Sequence, residues 1–424
     1  MTTAPLKIWI LEIGEPLPIE SGVRLHRYGQ FSKWLAAQGQ SVTWWTSSFS
    51  HAPKMNFVSE DCEKICDGVR LKFIYGKGYQ RNISFARIKH QADFARGFLE
   101  QAEEFIKVER PDVIMAPIPT IDGAHAAVVF GLKHKIPVIA DIRDLWPDEI
   151  RDLAPLALRP LAELALFNAY RKLQFVCAGA SAICGVSRSY LDYGLKYSRR
   201  RRSSDLNLGV DFVFPLGYSE QNIAKDAAAA AEKWYGELAI PADAFLVCFF
   251  GTIGKYFDLG TVIHAARELG NNFYFVLGGA GSSLNEYKTR AAGLKNVVFT
   301  GWLDAAQMQT VMKHASVGLA PYSTSARMSL PNKPFEYMCA GLPVVSSIQH
   351  ELKEILAVNK AGISYHADSY RELYSVLRKL RDDQSLRKEL GANARALFER
   401  EYTTEKVFVK AFAQIRRVIE AKNA

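Results

Sequence analysis

Short apolar runs of strand length alternate with helical patterns along almost the whole chain, and after residue 245 the alternation starts again. Strands separated by helices pair in parallel through crossovers rather than as hairpins, so the pattern calls for open parallel sheets with helices on both faces. In the first half the strands read Ile8–Ile13, Val42–Thr46, Val69–Ile74, Val113–Ala116, Val138–Ala140 and Ala182–Val186, with helices at Leu25–Gln38, Ile88–Val108 and Pro160–Phe175. In the second half they read Phe245–Phe250, Phe273–Leu277, Val297–Phe299, Val317–Ala320 and Val344–Ser346. A chain of 424 residues exceeds what one core usually organises. The expected architecture is α/β, two doubly wound, Rossmann-like domains over residues 1–215 and 216–400 with a cleft between them. Pro215 and Gly217 mark a hinge, and an alanine-rich helix, Asn222–Leu238, follows. In the tail 401–424, Val409, Phe412, Ile415, Val418 and Ile419 recur at helical spacing, so this helix has one apolar face to bury and is expected to cross back to the first domain.

Composition narrows the class. With 49% hydrophobic and 23% charged residues the chain is ordinary globular material, and no apolar run approaches the roughly 18 residues of a membrane span. The N-terminus runs into a strand without a cleavable signal pattern, which makes a cytoplasmic protein the expectation. Six cysteines sit mostly in apolar patterns and suit reduced thiols; Cys62-x3-Cys66 lacks a second ligand pair nearby, so no metal site is read there. The net charge of +9 gathers in the run Arg199–Arg202 and in a looser group of Lys72, Lys77, Arg81, Arg87, Lys89 and His90. Such patches attract phosphates or the inner face of an anionic membrane, although an arginine run is also a common solvated loop. The aromatics fall in buried strand patterns instead of lining a basic surface, which argues against nucleic-acid binding. The stripe in Pro160–Phe175, with Leu161, Leu164 and Phe167, is read as domain core in preference to a membrane-interface helix.

The stretch Ser329–Ser347, SLPNKPFEYMCAGLPVVSS, carries the chemistry. Pro331, Asn332 and Lys333 open a helix that Gly341 and Pro343 end, and the unpaired N–H groups of its first turn suit a diphosphate, with Lys333 adding charge. Glu336, one turn on, is placed to accept the hydroxyls of a ribose. Four strand ends precede it: Gly251-Thr252-Ile253-Gly254-Lys255, Gly278-Gly279-Ala280-Gly281, Gly301-Trp302-Leu303 and Pro321-Tyr322. Open parallel sheets bind ligands at such ends, so a nucleotide site is expected, with Gly251, Thr252, Gly279, Gly281, Leu303, Tyr322, Pro331, Asn332 and Glu336 around the donor.

In this combination the chain resembles the retaining glycosyltransferases of family 4, with the GT-B fold, over nearly its whole length. The resemblance implies that Glu336 binds the donor ribose, that Asn332 and Lys333 lie near its phosphates, and that Gly301–Leu303 borders the base. The family often carries E-x7-E, and Met328 stands where the first glutamate would be, which loosens the sugar-side contacts; a subset of bacterial surface-polysaccharide enzymes is similar in this respect. On the first domain, Gly22, Arg24, Asn82, Arg87 and His90 are the acceptor-side candidates. Asp144 is the first choice for orienting the acceptor hydroxyl and Asp141 the second, while Arg143 serves either the reaction or the shape of its loop. No Asp-x-Asp occurs, so Lys255 and Lys333 are expected to neutralise the leaving diphosphate without metal or cofactor. The implied reaction moves a sugar from a UDP- or GDP-linked donor to a lipid-linked glycan of lipopolysaccharide or capsule; a sugar-nucleotide epimerase of the same architecture is the alternative.

Overall fold

A computed structural model describes residues 4–19, 25–51, 53–81, 84–200 and 209–423. The chain divides into two units, Met1–Pro215 with Phe408–Ala424, and Leu216–Val407.

The first unit contains β1 (Lys7–Leu11), β2 (Ser41–Ser47), β3 (Phe49–Ser50), β4 (Met55–Asn56), β5 (Cys62–Cys66), β6 (Val69–Ile74), β7 (Val113–Ile118), β8 (Val138–Ile142), β9 (Ala182–Gly185) and β10 (Phe212–Val213). Eight of these form one sheet in the order β10-β9-β8-β7-β1-β2-β6-β5, while β3 and β4 make a separate hairpin. All neighbours in the sheet are parallel except β5, which runs antiparallel to β6. The order reverses between β1 and β7, and loops leaving the C-terminal ends of strands at such a reversal are where this architecture holds ligands. Burial on both faces explains why β1 and β7 read as near-continuous apolar runs. Trp9 is the hub of one layer, with its ring centroid 5.2 Å from Trp45, 5.6 Å from Phe105 and 5.7 Å from Phe130.

From Phe408 onward the helix Thr404–Asn423 belongs to this unit, and Phe408 packs 5.0 Å from Phe31 between ring centroids, with Phe412 5.9 Å from Trp34. The helix expected over Pro160–Phe175 is instead two, Arg159–Ala165 and Phe167–Gly179, broken at Leu166. Only the second reaches the core, through Leu173, Val176 and Cys177; no residue of the first is buried, so the stripe read as core faces outward.

Asp141 also departs from its expected role. It is fully buried, ion-paired with Arg27 and accepting a hydrogen bond from the Tyr28 hydroxyl at 2.8 Å, so it fastens β8 to the helix Arg27–Ala37 and has no access to an acceptor. Arg27 also donates from Nη1 to the Phe214 carbonyl and lies 4.2 Å from that ring. Removing one member of a buried ion pair strands the other in low dielectric. Asp141→Ala is therefore expected to destabilise the first unit by roughly 3–5 kcal/mol in urea unfolding, and a loss below about 1 kcal/mol would contradict this account.

The second unit contains β11 (Phe245–Phe250), β12 (Phe273–Gly278), β13 (Val297–Gly301), β14 (Val317–Ala320), β15 (Val344–Ser346) and β16 (Gly362–Ser364), all parallel, in the order β13-β12-β11-β14-β15-β16. The sheet grows outward in both directions from the β11–β14 pair, so its ligand edge lies at the loops following those two strands. The helix Asn332–Cys339 is held against this sheet by Tyr337, whose ring occupies the space above Gly318 of β14 and whose hydroxyl donates to the Leu319 carbonyl at 3.0 Å. Arg395 closes the other end of the helix by donating to the Cys339 carbonyl.

Candidate donor site and the polar cluster of the first unit

The loops after β11 and β12 are locked together backbone to backbone. Gly251 N donates to the Gly278 carbonyl and Ile253 N to the Ala280 carbonyl, both at 2.9 Å, while Gly279 N donates to the Gly301 carbonyl at 2.6 Å. A Cβ on Gly279 would run into the Gly251 carbonyl and one on Gly281 into the Ile253 carbonyl; both glycines also have positive φ, at 141° and 157°. Their glycine identity is thus accounted for by this interlock, where the sequence read them as residues around the donor. Leu303 packs on the same loop, 3.0 Å from where a Cβ on Gly278 would stand.

Gly251 makes room for a different neighbour. A Cβ there would lie 2.5 Å from Cε and 2.9 Å from Nζ of Lys333, so the absence of a side chain lets this lysine reach the end of β11. Its ammonium is also 5.5 Å from the centre of the Phe257 ring. Lys333 lies in the first turn of the helix Asn332–Cys339, whose N-cap is the buried Pro331 and whose Asn332 is exposed. Glu336, one turn further, is buried; burial, and after it the charge of Glu336, pushes the Tyr322 phenol upward. Thr252 and Lys255 are exposed, with the Lys255 ammonium 4.9 Å from the Tyr256 ring centre; the Lys255 carbonyl accepts from the Ser323 hydroxyl at 2.9 Å, tying the β11 and β14 loops. One ligand edge thus gathers Gly251, Lys333, Tyr322 and Glu336, with Gly279, Gly281 and Leu303 building the wall behind them. Met328, where the paired glutamate was absent from the sequence, packs on the core.

The first unit holds a cluster that the sequence left unmarked. Glu12 and Glu15 follow β1, both are buried, and both grip Arg143: Nη1 is 3.0 Å from Glu12 and Nη2 is 2.6 Å from Glu15. Glu15 also accepts from the backbone N–H of Tyr28 at 2.8 Å and of Gly29 at 3.2 Å, anchoring the first turn of the helix Arg27–Ala37. Arg143 therefore shapes the loop after β8, held by two glutamates from the loop after β1. Burial pulls its pKa down, but Glu15, Glu12 and Asp141 outweigh that and hold it above the ordinary value. Burial pushes Glu12 up to about 7, against the lowering pull of Arg143 and with Glu15 adding to the rise. Asp144 is half-buried and raised by burial, with Arg143 and Arg87 pulling it down. Arg87, in the first turn of the helix Phe85–Phe105, lies 4.8 Å from the Trp146 ring centre, so it belongs with the Asp144 loop.

His90 does not join a surface. It is buried beside Phe49 and Tyr79, Nε2 is 3.1 Å from the Ser47 hydroxyl, and burial holds its pKa below the usual value. Gly22, Arg24 and Asn82 lie outside the described residues, as do Arg201 and Arg202 of the arginine run. Arg200 turns inward, donating to the carbonyls of Cys177 and Ala180 and pairing with Asp211 at 3.2 Å, so it closes the end of the helix Phe167–Gly179. Cys62 and Cys66 stand at the two ends of edge strand β5, and no cluster of three or more metal-ligating side chains occurs among the described residues.

Two expectations follow from this geometry. Gly279→Ala forces two backbones apart and should cost about 2–4 kcal/mol of stability in the second unit, read by urea unfolding; a neutral result would break the interlock argument. Glu12, with its pKa raised in the folded state, gives stability that is complete below its ordinary value and lost as pH rises through about 7. Glu12→Gln should flatten that decline, measured as the difference in urea midpoint between about pH 5 and about pH 8, and an unchanged slope would assign it to other groups.

Residues 244–383, most of the second unit, match the family described as Glycosyl transferases group 1. LpsD of Rhizobium meliloti, a lipopolysaccharide core biosynthesis glycosyltransferase, is 28% identical over 181 residues, 42% of this chain and 51% of that protein. The chain spans about half the length of the curated relatives it matches, 51% and 44%. Among solved structures, sucrose-phosphate synthase from Thermosynechococcus elongatus aligns with a TM-score of 0.71 at 14% identity, over 98% of this chain and 100% of that one. Anabaena HepE in complex with UDP aligns with a TM-score of 0.66 at 13% identity, over 97% of this chain and 100% of that one. The chain has the GT-B fold, and its residues 244–383 are a group 1 glycosyltransferase domain.

Proposed function

We propose that this chain is a glycosyltransferase that moves a sugar from a nucleoside-diphosphate donor, UDP- or GDP-linked, to a lipid-linked glycan in surface-polysaccharide synthesis, with retention of configuration and without a metal ion. The observation that carries the reading is the approach of Lys333 to Gly251 at the sheet reversal of the second unit, with Glu336 buried one turn behind it. As the glycosidic bond breaks, negative charge grows on the departing diphosphate. Lys333, the backbone N–H groups of Asn332 and Lys333, and the exposed Lys255 are positioned to receive it, which is preorganised electrostatic stabilisation. Glu336 takes the donor ribose. The UDP in the HepE complex and the lipopolysaccharide role of LpsD support the donor and product classes.

On the first unit, Asp144 orients the acceptor hydroxyl and Arg87 attends its charge, while Arg143 acts through position, holding that loop to Glu12 and Glu15. The enzyme works at the inner face of the cell membrane, where a lipid-linked acceptor is found.

The purified protein, given UDP-, GDP- and TDP-sugars with lipid extracts, should form a glycosylated lipid detectable by mass. Lys333→Ala and Glu336→Ala should each lower kcat/KM by about 100-fold or more while leaving the thermal melt in place. Unchanged turnover in both variants would remove the site from this edge of the sheet.

A further inference from the structure

We infer that the outward face of residues 156–167 is the surface by which this protein lies on an anionic lipid bilayer. The inference rests on the reading of a lipid-linked acceptor and moves the membrane contact away from the arginine run. Leu156 is 77% exposed, Leu158 53%, Leu161 65%, Leu164 71% and Phe167 55%. Singly exposed leucines are common on any protein, but five large apolar side chains within twelve residues form a contiguous patch of the kind that marks a contact surface. The helix Arg159–Ala165 buries no residue of its own, so these side chains are not the outer rim of a packed face.

The charges beside the patch select the occupant. Arg171 and Lys196 are exposed beside it, and the Arg171 guanidinium is 5.9 Å from the Phe167 ring centre. Lys196 and Phe167 share the rim of a shallow depression with Tyr170 and Tyr197. The acidic group there, Glu163, is already paired with Arg151 at 3.2 Å. Leucine and phenylalanine flanked by cations match the boundary between acyl chains and anionic headgroups, where the apolar face sinks in and the cations meet phosphate. Among the described residues no helix is long and apolar enough to cross a membrane, so this segment lies on the bilayer and does not span it. Arg200 is occupied at the end of the helix Phe167–Gly179 and is not one of the cations of this face.

The test is flotation of the full-length protein with vesicles of equal parts phosphatidylglycerol and phosphatidylcholine, and with phosphatidylcholine alone. The wild type should float with the anionic vesicles and much less with the neutral ones. Leu161→Glu/Leu164→Glu should weaken that partitioning by at least about tenfold, with the thermal melt unchanged because both side chains already face solvent. Arg171→Ala/Lys196→Ala should reduce binding to the anionic vesicles only. A wild type that stays at the bottom of the gradient, a glutamate variant that floats normally, or a wild-type dimer in light scattering that the variant dissociates would each overturn the inference. Release of nucleoside diphosphate in the absence of lipid, measured on the same proteins, separates the two readings: turnover without flotation leaves sugar transfer standing and removes the membrane surface, and flotation without turnover does the reverse.

Discussion

The ligand edge of the second unit depends on two loops approaching closer than any side chain would allow. Where Gly279 and Gly281 pass the carbonyls of Gly251 and Ile253, backbone fills the space that Cβ atoms would need. This contact fixes the end of β11, and the bare position at Gly251 then admits Lys333 from a helix that follows β14. Tyr337, wedged over Gly318, sets the height of that helix against the sheet. Cationic placement at the sheet edge is thus a consequence of backbone packing, and the lysine needs no partner of its own design to arrive there.

The first unit solves a related problem with charge. Its own sheet reversal is bordered by the buried Glu12 and Glu15 and the partly buried Arg143, which join the loop after β1 to the loop after β8. Desolvation opposes each charge, and the cluster holds because opposite charges and backbone N–H groups surround it. Asp141 and Arg27, deeper in the same unit, use the same principle to bind a helix to the sheet. One cluster borders the candidate acceptor loop and the other is structural, and only their depth distinguishes them.

What the sequence revealed follows from how far each signal reaches along the chain. Strands buried on both faces, such as Phe245–Phe250 and Val113–Ile118, announce themselves as continuous apolar runs and were legible. The edge strand Cys62–Cys66, half polar, and the short strands Phe212–Val213 and Gly362–Ser364 carry no such signal, because edge pairing needs little hydrophobicity. The helix over Arg159–Ala165 was misread for a different reason: periodicity reports that one side is apolar and is silent on what covers it. Glu12 and Glu15 carried no mark in the sequence, since the arginine that pairs with them lies more than a hundred positions away. The glycines at 279 and 281 were visible as turn material, but the interlock that demands them is a contact between loops and cannot be read from either alone.

The split of the first unit between the two ends of the chain has a bearing on how the protein is made. Phe31 and Trp34 are made before the second unit, yet two of the rings that pack on them, Phe408 and Phe412, are made after it. Throughout synthesis of the second unit, Phe214 is available to cover Phe31, but the Phe408 and Phe412 side of that aromatic cluster is not yet made. The first unit cannot complete this cluster until the helix Thr404–Asn423 has been made, so a segment that follows the second unit closes the half that was born first.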